Sequence, residues 1–422
     1  MQNSSYMILG AFALSALLAF SCSTAIEDIG PTEPIVRDTL PNVEAPTWNG
    51  PPILFQRRMA SGSFRTYERP ALSDKHITQF VGTDSQNGPS KLVISDYTDR
   101  TDNSFSISVA SQVPHYRALR CTPDSKCVVY TSNQIYVVDT ESSTVDSVAK
   151  DGPTAASTPE GTFWCSASSS TQQANTLVLE RFDPNTLSRA ELFRMPADTR
   201  GGRSFHVDEV RLREVDGATL LIGQLAYYLD LARGTPSHTF CYDLTHDTLL
   251  WAHKYPVRYR EDFANYLEAD QDQVFVKGHY QIVAYDIVSG RTNWTSIKQD
   301  SSKFYAASPL MVGGGMVYAY EDAAGLFGYD IRTGERRFYD ETVQGTVHGI
   351  DPFGERYVVL SSRDRSLNIF DPRTREYDLT FYTPNPSGAA QFFMNSFDVD
   401  PERQLISASD YEFVYVFDVS GY

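Results

Sequence analysis

Positive charge and cysteine are both scarce in this sequence. Asp and Glu outnumber Lys and Arg by 53 to 36, for a net charge of −17. So acidic a surface repels phosphate backbones and anionic headgroups, which excludes nucleic-acid or anionic-lipid binding as the main activity. The 5 cysteines, Cys22, Cys121, Cys127, Cys165 and Cys241, contain no adjacent pair and no CxxC ligand pair. The 8 histidines share no motif, and GxSxG, HExxH, P-loop and dinucleotide fingerprints are all missing. The GGG at 313–315 is read as a hairpin turn, because no helix follows it to cradle a phosphate. Segments of helical period are few, while aromatics make up 13% of the chain, which favours an all-β protein.

No hydrophobic run reaches membrane-spanning length. The apolar run Met7 to Phe20 has 14 residues, which suits the core of a signal peptide. It ends in LLAFSC, with Ala19 and Ser21 before Cys22, although no Lys or Arg precedes it. This ending resembles a bacterial lipobox, which implies cleavage after residue 21 and acylation of Cys22. Cleavage nearby without lipid, or an uncleaved anchor, are the alternatives. Residues 22–48 follow as a proline-rich, acidic tether that cannot bury a core. The resemblance to bacterial lipoproteins implies that Ser23, directly after the acylated Cys, is compatible with outer-membrane sorting.

What the sequence does contain is a repeat. QVFVKGHYQIVAYDIVSGRTNW and GMVYAYEDAAGLFGYDIRTGERRF each place two β-runs before an Asp, then a turn, then an aromatic eight residues past the Asp. The Asp recurs as Asp96, Asp139, Asp183, Asp243, Asp286, Asp330, Asp371 and Asp418, spaced 43, 44, 60, 43, 44, 41 and 47 residues apart. A period near 44 with about four strands per unit predicts propeller blades, which bury their faces only by stacking around an axis. Each Asp is expected to end a third strand and cap the turn to the fourth, with Gly290 and Gly334 in left-handed conformation four residues on. A ring of carboxylates binding cations is the weaker reading.

The expected architecture is therefore all-β, an eight-bladed β-propeller of four-stranded antiparallel blades over residues 49–422. Blade bounds are 64–111, 113–149, 152–194, 205–255, 263–297, 304–340, 344–382 and 392–422. The last unit stops four residues past Asp418, where its fourth strand should begin. An open ring would leave an unpaired edge, so the spare strand Pro52–Met59 is expected to complete the eighth blade beside Phe413–Phe417.

In such a blade the first and third turns share one face, and here they are tight. The long connections, 84–90, 195–204, 229–237, 255–264 and 382–391, fall on the other face. The wide Asp183–Asp243 spacing is ascribed to two of them. Long loops on a rigid scaffold are where binding usually resides. Arg200, Arg203, Arg233, Tyr255, Arg258, Tyr259 and Arg260 lie on these loops, a local reversal of sign in residue types favoured at interfaces. The bland alternative is solvated loop arginine. Cys121 and Cys127 flank the turn CTPDSKC, so a cross-hairpin disulfide is geometrically open in an oxidising envelope, with free thiols as the alternative. Cys165 and Cys241 are read as buried thiols, and His348 as lining the channel.

Ala284, Asp286, Ser289, Gly290 and Trp294, with Asp330, Thr333, Gly334 and Phe338, resemble the A-x-D-x-x-T-G-x-x-x-W repeat of quinoprotein-like (PQQ-like) propellers. Asp243 and Trp251 keep the spacing without the Gly. The resemblance implies eight blades, with the Trp packed between them. One branch of the family, quinone-dependent dehydrogenases using Ca²⁺ and a catalytic Asp, often has an adjacent Cys pair and a cytochrome motif that this chain lacks. The other branch is non-catalytic lipoproteins, including the propeller lipoprotein of the outer-membrane β-barrel assembly machine. It implies a monomeric, lipid-anchored envelope scaffold with a protein or peptide partner, contacting the membrane through its lipid only, with no cofactor, metal or catalytic residue. An enzyme, or a small-ligand or saccharide receptor using the channel, is the alternative.

Overall fold

The structure is a computed structural model that describes residues 48–58, 70–81, 90–107, 119–121, 126–130, 134–149, 154–158, 161–167, 176–196, 205–227, 237–256, 266–297, 309–321, 325–341, 347–361, 365–385, 393, 397–410 and 412–422. The chain divides into two units, Met1–Thr39 and Leu40–Tyr422, and every described residue belongs to the second. The signal segment, Cys22 and the tether up to residue 47 lie outside the described residues.

Among the described residues the strands form eight four-stranded antiparallel sheets. In chain order, sheet 1 spans 71–107, sheet 2 119–149, sheet 3 154–196, sheet 4 205–254, sheet 5 266–297, sheet 6 311–340, sheet 7 347–381 and sheet 8 397–418. Seven are simple meanders, each strand pairing with the next along the chain. Sheet 8 differs: its outer strand is Ile53–Arg58, from the other end of the chain. That strand pairs antiparallel with Phe413–Asp418, Ile53 opposite Phe417 and Arg58 opposite Phe413.

Burial explains the composition of each strand. In sheet 5 the second and third strands, QVFVK and QIVAYD, are buried almost throughout. Both faces of these inner strands meet neighbouring sheets, so an alternating polar pattern would bury polar groups. The fourth strand, TNWTSI, lies at the sheet edge and is mostly exposed apart from Trp294. The apolar core is accordingly divided into layers. Leu179 and Phe193 of sheet 3 pack with Leu221 and Phe240 of sheet 4. Trp251 of sheet 4 packs with Val276 and Tyr285 of sheet 5, and Trp294 of sheet 5 with Val317 and Ala319 of sheet 6. The same relation continues between sheets 6 and 7 and between 7 and 8. Phe55, Leu405, Val414 and Val416 of sheet 8 pack with Leu72, Ile77 and Tyr97 of sheet 1.

Polar contacts reinforce that last interface. The Leu72 amide donates to Asp398 Oδ2 at 2.8 Å, and Arg403 donates to the Tyr97 hydroxyl at 2.7 Å and the Ser73 carbonyl at 2.6 Å.

The Asp register has a shared local geometry. Asp96, Asp139, Asp183, Asp243, Asp286, Asp330, Asp371 and Asp418 each accept at least one backbone N–H from the following turn. The Ser289 and Thr333 hydroxyls also donate to Asp286 and Asp330. Four residues past the Asp, Arg100, Ser143, Leu187, Asp247, Gly290, Gly334 and Arg375 all have φ between 54° and 70°. Five of these seven carry a side chain, so the capped turn holds a left-handed residue even at the steric cost of a Cβ.

Sheet 4 departs from expectation. The wide spacing between Asp183 and Asp243 was ascribed to loop insertions, but part of it lies in long strands, Phe205–Val215 and Ala218–Tyr227. The alternation in VDEVRLREV lets the ladder extend, and Asp216 and Gly217, with φ of 51° and 80°, close it as a two-residue hairpin.

Candidate functional site

The strand bounds set the two ends of the sheets apart. Connections between first and second strands, and between third and fourth, are short, such as 216–217, 314–315 and 140–143. The longest ones, including 82–89, 108–118, 197–204, 228–236 and 255–265, join second to third strands or one sheet to the next. The strand ends that they join lie opposite the tight turns. Of the expected binding residues on them, Arg200, Arg203, Arg233, Arg258, Tyr259 and Arg260 lie outside the described residues.

Tyr255 is described, and it corrects the reading of a loop anchor. It is 1% exposed, packs within the apolar layer between sheets 4 and 5, and donates its hydroxyl to the Gln281 carbonyl at 3.2 Å. It follows the fourth strand of sheet 4, where an aromatic has apolar area to bury against the next sheet.

The first strands of sheets 4 and 5 carry a charged cluster, toward their tight-turn ends, that the sequence reading passed over. Glu209 accepts the Leu267 amide at 2.7 Å. Glu268 accepts Arg211 at 3.1 Å and Arg213 at 2.8 Å, while Arg213 also donates to the Ala269 carbonyl. Burial opposes the Arg211 charge, but Glu268 and Glu209 outweigh it and raise its pKa. The cluster therefore staples one sheet to the next. Its signal was the two-residue period of charge in Glu209, Arg211 and Arg213. Nearby, Lys277 is fully buried, with its ammonium 4.9 Å from the centre of the Tyr266 ring. Burial pushes its pKa down to about 7, and the Glu209 charge opposes that.

Cys121 and Cys127 form a disulfide across the first hairpin of sheet 2. Cys241 is a free buried thiol whose pKa burial pushes up to about 12, which makes it inert at neutral pH. The side chains of Cys165 and His348 lie outside the described residues. Among the described residues no three His, Cys, Asp or Glu side chains group as metal ligands.

Solved structures with this arrangement of sheets exist across unrelated sequences. BamB from Moraxella catarrhalis superposes with a TM-score of 0.55 at 12% identity, covering 87% of this chain and 99% of that one. The fold is a β-propeller. The Dos1 propeller gives a TM-score of 0.57 at 12% identity, over 88% of this chain and 97% of that one. Sqt1 from Saccharomyces cerevisiae gives 0.55 at 10% identity, over 86% and 98%. No family model matches the chain, and no curated protein matches its sequence. At such identities the likeness concerns the propeller scaffold, and function must be argued from this chain's own residues.

Proposed function

We propose that this chain is a non-catalytic lipoprotein of the bacterial outer membrane whose propeller is a protein-interaction scaffold. In this reading the eight sheets are the blades of one ring, and Ile53–Arg58 closes it by completing the last blade. Residues 1–21 are the signal peptide, Cys22 carries the lipid, 22–48 is the tether and 49–422 the propeller.

The observation that carries the scaffold reading is the sidedness of the connections. Tight, carboxylate-capped turns occupy one end of the sheets, and the strand ends joined by the longer sequence segments, which carry Arg200, Arg203, Arg233, Arg258, Tyr259 and Arg260, lie at the other. A rigid scaffold with variable loops on one end positions side chains for a partner at low ordering cost. Arginine and tyrosine on an otherwise acidic protein fit a partner with an acidic or aromatic protein surface. The lipobox resemblance and the tether supply the envelope context, and the resemblance to non-catalytic propeller lipoproteins makes a part in outer-membrane protein assembly the specific form of the proposal.

Two measurements separate the parts. Wild type and a Cys22→Ala variant, grown with a clickable fatty acid, test the anchor; equal labelling of both overturns it. Photo-crosslinkers introduced beside Arg203 and Arg258 on the lipidated protein are expected to capture a discrete envelope protein. Crosslinkers in the tight turns at Arg332 and Ser142 are not. Equal capture from both ends overturns the sided scaffold.

A further inference from the structure

Two of the interfaces between sheets share a feature absent from the sequence reading. In sheet 4, Glu209 on the first strand accepts the Leu267 amide of sheet 5 at 2.7 Å. In sheet 8, Asp398 on the first strand accepts the Leu72 amide of sheet 1 at 2.8 Å. Each carboxylate has a polar cross-strand neighbour on the second strand: Gln224 opposite Glu209, and Ser407 opposite Asp398. Gln224 in turn lies opposite Thr239 on the third strand.

These neighbours face the same interfaces as their carboxylates. Side chains two apart on a strand share a face. Ile222 and Cys241, two residues from Gln224 and Thr239, belong to the apolar layer between sheets 4 and 5. Leu405, two residues from Ser407, belongs to the layer between sheets 8 and 1, as does Val414, the cross-strand partner of Ser409. From the other side of that layer Ile77 places Gln79 on the same face. Gln224, Thr239 and Ser407 are fully buried, and Gln79 and Ser409 are 3% exposed. Yet among the described residues both polar atoms of the Gln224 amide, the hydroxyls of Thr239, Ser407 and Ser409, and Nε2 of Gln79 have no hydrogen-bond partner. A buried polar atom left in that state costs roughly 1–3 kcal/mol, so six in two layers call for a guest.

We propose that the interfaces between sheets 4 and 5 and between sheets 8 and 1 each hold a buried hydration site. The guest must accept from the amide of Gln79 or Gln224 and both donate to and accept from hydroxyls. None of the six atoms belongs to a charged group, and the neighbouring Glu209 and Asp398 carboxylates already accept backbone amides of the next sheet, so a neutral guest fits better than an ion. Water meets these requirements, and buried waters with about three partners are a regular component of folded proteins. The two sites lie four sheets apart in an order of eight, on opposite sides of the ring proposed above. The hydration sites themselves depend only on the packing of sheets 4 on 5 and 8 on 1.

A crystal structure of the full chain at a resolution that shows ordered solvent tests this. The expected result is solvent density within hydrogen-bond distance of Gln224 and Thr239 at one interface, and of Gln79, Ser407 and Ser409 at the other. Dry interfaces, with the same side chains turned onto backbone carbonyls, would overturn the proposal. The isosteric Thr239→Val variant adds a control within one molecule. Its density should be lost or displaced between sheets 4 and 5 and unchanged between sheets 8 and 1. Solvent unmoved at both interfaces would show that Thr239 does not hold it.

Discussion

Trp294 closes over Gly334. A Cβ on that glycine would sit 2.5 Å from Cε3 of the indole, and the indole N–H donates to the Ile331 carbonyl at 2.8 Å. Trp251 and Gly290 repeat the relation one sheet earlier, with a 2.9 Å bond to Ile287. The fourth strand of one sheet is thereby locked onto the capped turn of the next. Trp294→Ala should lower unfolding stability by about 3–5 kcal/mol, since it removes a large buried side chain and leaves a cavity. Gly334→Ala should also destabilise, because φ is 70° there and the added methyl meets the ring. Denaturant midpoints of the two variants check this; a loss below about 1 kcal/mol for Trp294→Ala would contradict the lock.

Phe55 holds the corresponding place in sheet 8. Trp251, Trp294, Phe338 and Leu379 each pair with the residue two before the turn Asp, next to a bulge, and Phe55 pairs with Val416 in the same way. Its ring is buried against Leu72, Ile77 and Tyr97 of sheet 1. Phe55→Ala should therefore loosen sheets 8 and 1 selectively. Hydrogen exchange is the measure: amides of 71–81 and 405–418 should exchange faster in the variant, and those of 316–330 should not. A uniform change, or none, would show that Phe55 does not hold this interface.

The repeat was legible because its strongest signals are local. An Asp followed four residues later by a left-handed backbone is set by turn chemistry, and Gly290 and Gly334 announce it. Where Arg100, Leu187 or Arg375 takes the glycine's place, only the Asp spacing remained to mark the turn. The role of Phe55 was not legible as such, because its partners Leu72 and Val416 lie in distant parts of the sequence and no spacing relates them. Tyr255 was misread for a related reason. Loop position suggested exposure, and only the packing of sheet 4 against sheet 5 decides that its ring turns inward. The Glu209, Arg211 and Arg213 alternation was visible, but its partner Glu268 belongs to the next sheet.

The left-handed turn residues yield a prediction of opposite sign. Arg100 is exposed with φ of 57°, a conformation that costs a Cβ-bearing residue roughly 1 kcal/mol or more. Arg100→Gly relieves that strain and gives back part of it through the freer unfolded chain. A net gain of about 0.5–1 kcal/mol is expected. Asp247→Gly should gain less, because Asp247 accepts the Tyr242 hydroxyl and that bond would be lost. Thermal unfolding of both variants tests the order.

Acid should act through the turn carboxylates. The Ser142 amide and the Lys126 ammonium hold the Asp139 pKa at about 2, below its ordinary 3.8. A depressed carboxylate contributes stability that is present above 3.8 and lost as pH falls toward 2. Arg373 holds Asp371 at about 2 in the same way. Asp139→Asn should be less stable than wild type at pH 6, and the difference should shrink as both are titrated through that window. A constant difference would deny the link between the turn and its charge.

Lys277 predicts a slope at the other end of the pH scale. Burial lowers its pKa from 10.5 to about 7, against the opposing pull of Glu209. Between those values the folded chain binds fewer protons than the unfolded chain, so this residue makes stability rise with pH. Below about 7 the ammonium is charged in both states and its burial penalty is felt in full. Lys277→Met keeps the length of the side chain and removes the charge. Relative to wild type it should be most stabilised near pH 6, with the advantage declining steadily toward pH 10. Urea midpoints measured across that range decide the matter, since an advantage that grows with pH, or no dependence at all, would mean that the ammonium is solvated rather than buried between the sheets.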